Sequence, residues 1–249
     1  MLSERRLENG LAKAIRHFWT TRDGQAKKQL AAGRSDQGSR GAVTGGKQMD
    51  GFVTIVEDII REGGLLDSSV HTSTSLELPG YFRPEKKWDL VVVDDGVFVA
   101  AIEFKSQIGP SFGNNFNNRS EEAIGTAQDI WTAYREGAFP MSDRPWLGYL
   151  MMLEDCPKST SPVTVRQPHF SVFPEFVDAS YSRRYQLLMT KLVRERLYDS
   201  ACFVLSSRQT GSQGLYAIPD ANLSFMQLAA SLSGKITAHI NAKRGRTKP

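Results

Sequence analysis

The chain has few of the residues that build disulfide or zinc sites. Its 249 residues include two cysteines, too few for a disulfide framework or a zinc cluster. The four histidines are scattered along the chain without zinc-ligand spacing. These absences argue against a disulfide-stapled secreted scaffold and against a histidine-based metal site. We therefore expect a protein of the reducing cytoplasm.

Long apolar runs and two common catalytic motifs are also missing. No run of about 18 apolar residues occurs, so no membrane-spanning helix is expected. The first residues lack the apolar core of a signal peptide. No Gly-rich loop precedes a Lys-Ser or Lys-Thr pair, and no Gly-x-Ser-x-Gly sequence is present. P-loop nucleotide hydrolysis and serine-hydrolase chemistry are therefore not predicted.

Acidic residues are scarce at both ends of the sequence. The formal net charge is +4, but residues 1–49 contain ten Lys/Arg and four Asp/Glu, and residues 235–249 contain five Lys/Arg and no acid. The segment between them holds sixteen basic and twenty-three acidic residues. Basic ends around an acidic centre suit a bound polyanion with metal-binding carboxylates in the middle. Solubilising tails are the alternative interpretation.

Hydrophobic periodicity predicts alternating helices and strands. Apolar positions at helical spacing predict helices over residues 3–20, 52–60, 120–134, 181–199 and 222–242. Apolar runs predict strands near residues 70–78, 88–93, 97–105, 147–153 and 201–206. Residues 31–47, rich in Gly, Ser and Arg, are predicted to form a mobile loop or an arm that orders on binding. This order of elements suggests a mixed sheet flanked by helices.

The segment from Trp88 to Lys105 carries the clearest chemical signal. Two apolar strand-like runs flank an Asp-Gly turn, with Asp89 opening the first run and Glu103-x-Lys105 closing the second. Side chains two apart on a strand share a face, so Glu103 and Lys105 project together while Phe104 points into the core. If the strands pair as a hairpin, Asp89 returns beside Glu103. Two carboxylates and an ammonium can hold a divalent metal and position a water for phosphodiester hydrolysis.

The register of this hairpin decides whether the site forms. A two-residue turn at Asp95-Gly96 places Asp89 opposite Ile102, on the wrong face. A three-residue loop over residues 94–96 puts Asp89 on the face of Glu103, and we predict this loop. The alternative to a metal site is an ordinary salt-bridged hairpin end.

Two further acidic positions have competing interpretations. Glu85-Lys86-Lys87 also contains a Glu-x-Lys sequence, but it follows Pro84 and no apolar strand precedes it. We therefore predict that this tripeptide is a solvated approach to the strand. Glu57 and Asp58 lie off the apolar side of their helix, where one of them, for which we take Glu57, can supply a third carboxylate to a metal or be an exposed helix acid.

A dense cluster of amide side chains follows the hairpin, in a segment (residues 109–118) predicted to be a loop, with Asn118 or Ser120 capping the next helix. Phe112 and Phe116 are interleaved with the polar members of this cluster, which are Asn114, Asn115, Asn117, Asn118 and Arg119. Asn can make bidentate contacts to adenine, and Arg to guanine, in the major groove. A turn-rich surface loop is the alternative interpretation.

These residues resemble a known superfamily. Asp89 followed by Glu103-x-Lys105 is similar to the PD-(D/E)xK nuclease motif, with Trp88 where a proline often stands. The run from Glu103 to Ala123, including Gly-Asn-Asn-Phe-Asn-Asn-Arg-Ser-Glu-Glu, resembles the XhoI family of type II restriction endonucleases. The similarity extends over essentially the whole chain. It implies an α/β fold with a restriction-endonuclease-like core, in which helices flank a central mixed β-sheet. The implied organisation is one endonuclease domain over residues 1–249, with a basic N-terminal region (1–49) and a short basic tail (243–249).

The resemblance also implies an activity. Members of the family cut double-stranded DNA at the palindrome CTCGAG after the first C, leaving 5′-TCGA overhangs with 5′-phosphate and 3′-hydroxyl ends. They need Mg²⁺ and work beside a DNA methyltransferase, and a palindromic site implies a homodimer. Asp89 and Glu103 would be metal ligands together with the Phe104 carbonyl. Lys105 would orient the attacking water or help to deprotonate it.

The superfamily motif does not identify the residues that read the bases. We predict DNA contacts from the amide cluster and from the basic residues Arg34, Arg40 and Lys47. Two rival functions are another metal-dependent nuclease on the same core and a sequence-specific DNA-binding regulator. The first would cut without a fixed hexamer. The second would bind DNA with the same steep salt dependence but would not cleave it, whatever metal is supplied.

Overall fold

The computed structural model describes residues 2–31 and 47–246, with side chains for residues 2–25 and 47–245. The helices within this part of the chain are α1 (Glu4–Ala31), α2 (Asp50–Glu62), α3 (Phe112–Arg135), α4 (Pro157–Thr160), α5 (Tyr181–Arg194) and α6 (Phe225–Arg246). The strands are β1 (Val70–His71), β2 (Glu77–Pro79), β3 (Glu85–Lys87), β4 (Leu90–Asp94), β5 (Val97–Gln107), β6 (Trp146–Glu154) and β7 (Ser200–Ser206). Of the described helices, none is long and apolar enough to span a bilayer.

Five strands form the central sheet, in the order β1-β4-β5-β6-β7. The β1–β4 and β4–β5 pairs are antiparallel, whereas β5–β6 and β6–β7 are parallel. The mixed sheet flanked by helices is therefore confirmed. β2 and β3 form a separate two-stranded antiparallel sheet that leads into β4.

Helices cover both faces of the central sheet. α1, α2 and α6 contribute to one apolar cluster, which includes Ile102 and Phe104 of β5. α3 and α5 contribute to a second cluster, which includes Ala101 of the same strand. Burial on both faces explains why β5 and β6 are nearly continuous apolar runs. Because strand side chains alternate, Glu103 and Lys105 project on the α3 and α5 side while Phe104 packs on the other side.

Several of the predicted elements are confirmed. The N-terminal helix is present and runs on to Ala31. α2 buries the five apolar side chains that define its periodicity and ends before Gly63, with Gly64 at a φ of +99°. The strands predicted near residues 147–153 and 201–206 are β6 and β7. The predicted C-terminal helix is α6.

Predictions for three of these elements are wrong, and so are those for the hairpin loop and the amide cluster, which belong to the site. The strand expected over residues 70–78 is split, because Ser75 has a φ of 57° and turns the chain from β1 in the central sheet to β2 in the small one. The helix expected to reach residue 199 ends at Arg194, since Arg196 adopts a φ of 56° and the Leu197 amide turns back to the Leu192 carbonyl. Ile124, one of the apolar positions whose helical spacing predicts the helix over residues 120–134, is exposed rather than buried. The loop expected over residues 31–47 lies mostly outside the described residues.

Candidate active site

The β4–β5 hairpin is built differently from the predicted three-residue loop. Asp94 pairs with Val97 across a two-residue turn, in which Asp95 and Gly96 have φ values of 50° and 77°. Two left-handed residues are the signature of the tight turn that matches strand twist. The register then shifts between Val92 and Val93, leaving Val99 of β5 as an extra, bulged residue.

This bulge restores the register that the catalytic hypothesis needs. Beyond it Leu90 pairs with Ile102, so Asp89 comes opposite Glu103. The Asp89 Oδ2 atom accepts a hydrogen bond of 2.7 Å from the Phe104 amide. The prediction for the turn was therefore wrong, whereas its consequence, Asp89 beside Glu103, is what the structure has.

Asp89, Glu103 and Lys105 meet at this point. The Lys105 ammonium lies 3.6 Å from Asp89 Oδ2 and forms an ion pair with Glu103 Oε2. The Glu103 side chain is 3% exposed, whereas that of Asp89 is 41% exposed. The structure thus brings together all three residues predicted to carry the chemistry, with one carboxylate buried and the other open to the surface.

A second lysine reaches the same carboxylate. Lys86 forms an ion pair with Glu103 Oε1, and its ammonium lies 5.2 Å from the centre of the Trp88 ring. The prediction that Glu85-Lys86-Lys87 is a solvated approach is therefore wrong for Lys86, whose side chain is 19% exposed. The available signal was the alternation of β3, which places Lys86 and Trp88 on one face and Lys87 on the other.

The charges of this cluster alter one another's protonation. Burial disfavours the charged form of Glu103, but the ammonium groups of Lys105 and Lys86 outweigh it and lower the pKa of that carboxyl. Burial likewise opposes the charge on Lys105, yet Glu103 and Asp89 raise its pKa. Partial burial, with Glu103 adding, raises the pKa of Asp89. Perturbed groups of this kind concentrate at functional sites.

Glu103 and Lys105 line a cleft of about 660 Å³ between β5 and α3. Besides Glu103 and Lys105, basic side chains line it, among them Lys86, Arg83 and Arg119. The hydroxyl of Tyr149, which is next to Glu103 across β6, is buried and makes no hydrogen bond. Glu121, Glu122 and Asp129 also line the cleft, where Asp129 pairs with Arg83 and Glu122 with Arg119. The cleft therefore combines carboxylates and cations, with Lys86 and Lys105 as the cations next to Glu103.

Asp129 of α3 fixes one wall of the cleft. Its Oδ1 atom accepts hydrogen bonds of 2.8 Å from the amides of Tyr81 and Phe82, and its Oδ2 atom accepts one of 2.6 Å from Arg83 Nε. A Cβ at Gly80 would lie 2.6 Å from Asp129 Oδ2, so the close approach needs glycine. The segment before β3 is therefore held against α3, and β3 carries Lys86 to the cleft. Sequence reasoning missed Asp129, which stands among helix residues with no motif around it.

The amide cluster is helical, not the loop that was predicted. α3 begins at Phe112, with Ser111 as its N-cap in place of Asn118 or Ser120. Phe112 stacks on Tyr181 with ring centres 5.8 Å apart, and Phe116 meets Tyr185 edge to face at 5.1 Å. These tertiary contacts, one turn apart on a single face, override the weak helix propensity of Gly and Asn.

The helical geometry separates the members of the cluster. Asn114, Asn117 and Asn118 are exposed, and Asn115 is half-buried. Arg119 lines the catalytic cleft and forms an ion pair of 2.5 Å with Glu122. The amides thus form a polar surface at the start of α3, next to the cleft that Arg119 enters.

Other predicted site residues are farther from this cleft or outside the description. Glu57 accepts a hydrogen bond of 3.2 Å from Thr72 and lies 3.9 Å from Arg61. Lys47 is exposed, and its carbonyl accepts a hydrogen bond of 2.8 Å from His17 Nε2. Arg34 and Arg40 lie outside the described residues. In the part of the chain that is described, no three His, Cys, Asp or Glu side chains are grouped closely enough to hold a metal, and Glu57 forms no such group with Asp89 and Glu103 in this geometry.

The oxygen atoms of the site nevertheless suit a hard cation as ligands. The amide and carbonyl of one residue in an extended strand point to the same side, so the Phe104 carbonyl faces the edge where its amide meets Asp89. Two carboxylates and a carbonyl are an all-oxygen set. Mg²⁺ keeps several waters and is commonly bound through one or two carboxylates together with substrate phosphates. The residues therefore fit a divalent metal.

The mixed five-stranded sheet flanked by helices, with Asp89, Glu103 and Lys105 meeting at the end of one hairpin, is consistent with a restriction-endonuclease-like fold. The comparison with known families is more specific. The family described as "Restriction endonuclease XhoI" matches residues 28–218. The chain belongs to this family, whose members are type II restriction endonucleases acting on DNA.

Individual relatives agree. The type II restriction enzyme BstVI of Geobacillus stearothermophilus is 53% identical over 206 residues, which are 81% of this chain and 92% of the relative. AbrI of Azospirillum brasilense is 53% identical over 164 residues, 66% of this chain and 73% of the relative. XhoI of Xanthomonas vasicola is 48% identical over 181 residues, 72% of each chain. No solved structure matches the chain. The protein is a type II restriction endonuclease, a site-specific deoxyribonuclease.

Proposed function

We propose that this restriction endonuclease cuts the palindrome CTCGAG after the first C, leaving 5′-TCGA overhangs with 5′-phosphate and 3′-hydroxyl ends. The proposal draws on membership of the XhoI family and on the 48% identity to the enzyme of that name. The catalytic part rests on one observation, the meeting of Asp89, Glu103 and Lys105 across the β4–β5 hairpin.

In this proposal Asp89, Glu103 and the Phe104 carbonyl would hold Mg²⁺. When bound, the divalent metal lowers the pKa of a water and polarises the phosphoryl oxygen. Lys105, held by both carboxylates, orients the attacking water for in-line displacement and stabilises the negative charge that develops on the phosphate. The Phe104 amide keeps Asp89 turned towards the site through its 2.7 Å hydrogen bond.

Glu57 stays a prediction as a further metal ligand. Its carboxylate is held by Thr72, which directly follows β1, and β1 pairs with β4 close to Asp89. A Glu57→Gln variant that binds Mn²⁺ more weakly than a Glu62→Gln control would place it in the metal site. Equal affinities would make it a structural partner of Thr72 and Arg61.

DNA contacts are proposed for Arg119 and for the exposed amides at the start of α3. Asn114, Asn117, Asn118 and Arg119 occupy successive turns beside the catalytic cleft, a position suited to entering a groove of the duplex. Asn115, Lys47, Arg34 and Arg40 remain in the proposal as predicted contacts from the sequence alone.

The proposal includes a homodimer and a companion methyltransferase. A palindrome presents two equivalent strands, which a two-fold dimer can cut with one subunit each. A mixture of wild-type and Lys105→Ala chains tests this, because a heterodimer would nick one strand of the site instead of linearising the plasmid. Plasmid methylated at the site by the companion enzyme would resist cleavage.

The main experiment uses two plasmids that differ by one base pair, with CTCGAG present in one and altered in the other. We expect the first alone to be linearised with TCGA ends in Mg²⁺, and neither to be cut in EDTA. Glu103→Gln should abolish cleavage, whereas the exposed Glu85→Gln control should retain it. Cleavage of both plasmids would leave a nuclease with a different specificity. An intact plasmid bound by a folded protein would favour the DNA-binding regulator.

A further inference from the structure

Both oxygens of the Glu103 carboxylate are occupied by lysines from different elements. Lys105 of β5 pairs with Oε2, and Lys86 of β3 pairs with Oε1. The three side chains are between 3% and 21% exposed. Glu103 is one of the two carboxylates proposed to hold the metal, so an ammonium already lies against each oxygen of this ligand.

Lys86 is held in place by the surrounding structure. Asp129 anchors the preceding segment through the amides of Tyr81 and Phe82 and through Arg83. β3 then pairs with β2, with Lys86 opposite Leu78. The Trp88 ring lies 5.2 Å from the ammonium and covers it. An exposed lysine that met Glu103 by chance would have none of these supports.

The charge balance of the cluster decides what a metal would encounter. Asp89 and Glu103 carry two negative charges, and Lys86 and Lys105 carry two positive charges, so the cluster is formally neutral. A divalent cation entering with both lysines in place would leave two uncompensated positive charges in a partly buried volume, which is unfavourable. One ammonium must move, or metal binding must be weak.

Of the two lysines, Lys86 is the one that can leave Glu103 for another anion. Lys105 has Asp89 at 3.6 Å as a second anionic partner, which keeps it in the site after Glu103 is released. Lys86 has no carboxylate other than Glu103 among its described ion pairs, and it lines the open cleft with Arg83 and Arg119. Arg83 and Arg119 already pair with Asp129 and Glu122, so a DNA phosphate entering that cleft would offer Lys86 an alternative anion.

We infer that Lys86 is a positioning residue that occupies the metal side of Glu103 in the DNA-free enzyme and transfers to a DNA phosphate when the duplex enters. This inference rests on the proposed metal-dependent cleavage. Metal binding is then coupled to DNA binding. A DNA phosphate draws Lys86 away from Glu103, and metal binding to Glu103 releases Lys86 for the phosphate. Free enzyme holds metal weakly, and the site is completed on DNA.

The first test measures Mn²⁺ binding to the full-length protein without DNA, through the electron paramagnetic resonance signal of free Mn²⁺. Lys86→Met should tighten Mn²⁺ binding by about tenfold or more, because it removes a charge next to the ligand. The control Lys87→Met removes the neighbouring lysine of β3, which faces the other way and is exposed. The affinity of this control for Mn²⁺ should stay within about twofold of the wild-type affinity. Lys86→Arg, which keeps the charge, should resemble the wild type.

The second test measures DNA binding in EDTA over a range of salt concentrations. Loss of one phosphate contact lowers the slope of log K against log [salt] by about one. Lys86→Met should show this decrease, and Lys87→Met should show less of it. An unchanged slope would mean that Lys86 does not reach the duplex, which overturns the transfer step.

The outcomes separate this inference from the proposed function. Unchanged or weaker Mn²⁺ binding by folded Lys86→Met would overturn the inference, with Lys86→Gln replacing it if the Met variant does not fold. If the wild type cuts CTCGAG but Lys86→Met gives these contrary results, the proposed function stands and the role of Lys86 is lost. Wild-type protein that cuts no DNA in Mg²⁺ loses the proposed function whatever Lys86 does.

Discussion

The Oδ2 atom of Asp89 accepts a 2.7 Å hydrogen bond from the backbone amide of Phe104, between the two residues of the Glu-x-Lys pair. This contact places a carboxylate from the start of β4 against the strand that carries Glu103 and Lys105. It exists because Val99 is bulged out of the pairing and shifts the register by one residue. The geometry of the catalytic group therefore depends on a residue that takes no part in the chemistry.

Lys105→Ala should abolish cleavage while leaving specific DNA binding within about threefold of the wild type, because the ammonium acts on the reacting phosphate and not on the bases. Cleavage of CTCGAG plasmid and binding of a CTCGAG duplex in EDTA measure the two effects. Lys87→Ala, on the exposed face of β3, should cleave normally. Full activity of Lys105→Ala would remove this lysine from the mechanism.

Arg119→Ala should weaken specific binding by about 1–3 kcal/mol if its guanidinium reads a guanine. Competition between a CTCGAG duplex and a duplex with one altered base pair gives the ratio of specific to non-specific affinity. Arg135→Ala, at the other end of α3, is the matched control. An unchanged ratio with uniformly weaker binding would make Arg119 a phosphate contact instead.

Asp129→Ala should lower the free energy of unfolding by about 1–3 kcal/mol, because it leaves two backbone amides and Arg83 without their buried acceptor. Urea denaturation measures this change. The exposed Glu136, at the end of the same helix, provides a control that should change stability little. A loss no larger than that of Glu136→Ala would show that this clamp is not needed for folding.

Asp94 should make the stability of the protein sensitive to acid. Burial disfavours its charge, but hydrogen bonds from Lys243, His239 and Ser69 outweigh this and lower the pKa of the carboxyl. A carboxyl with a lower pKa in the folded state contributes stability above its unfolded pKa of about 3.9, and loses it as the pH falls through the folded value.

The free energy of unfolding should therefore fall more steeply below about pH 4 in the wild type than in Asp94→Asn. Asp95→Asn is the matched control, because Asp95 is 77% exposed in the same turn. Thermal and urea unfolding between pH 3 and pH 7 would measure the difference. If the free energy of unfolding changes with pH in the same way in the wild type and in Asp94→Asn, the lowered pKa of Asp94 is contradicted.

The sequence by itself predicted much of the fold and the centre of the candidate site. Helical and strand periodicity depends on residues within a few positions of each other, so α1, α2, β6, β7 and α6 could be read directly. The spacing of Glu103 and Lys105 on one strand likewise dictates that they share a face. The resemblance carried by these residues and by the Gly-Asn-Asn-Phe-Asn-Asn run led to the family to which the chain belongs.

Contacts between distant segments decided the rest. The Asn-rich segment is helical because Phe112 and Phe116 pack on Tyr181 and Tyr185, more than 60 positions along the chain. Lys86 reaches Glu103 because Asp129 of α3 anchors the segment that leads into β3, the strand that carries Lys86. Such contacts depend on how elements pack after they form, and no local pattern around these residues encodes that packing. Local spacing therefore determined which residues share a strand face, and tertiary packing determined what that face meets.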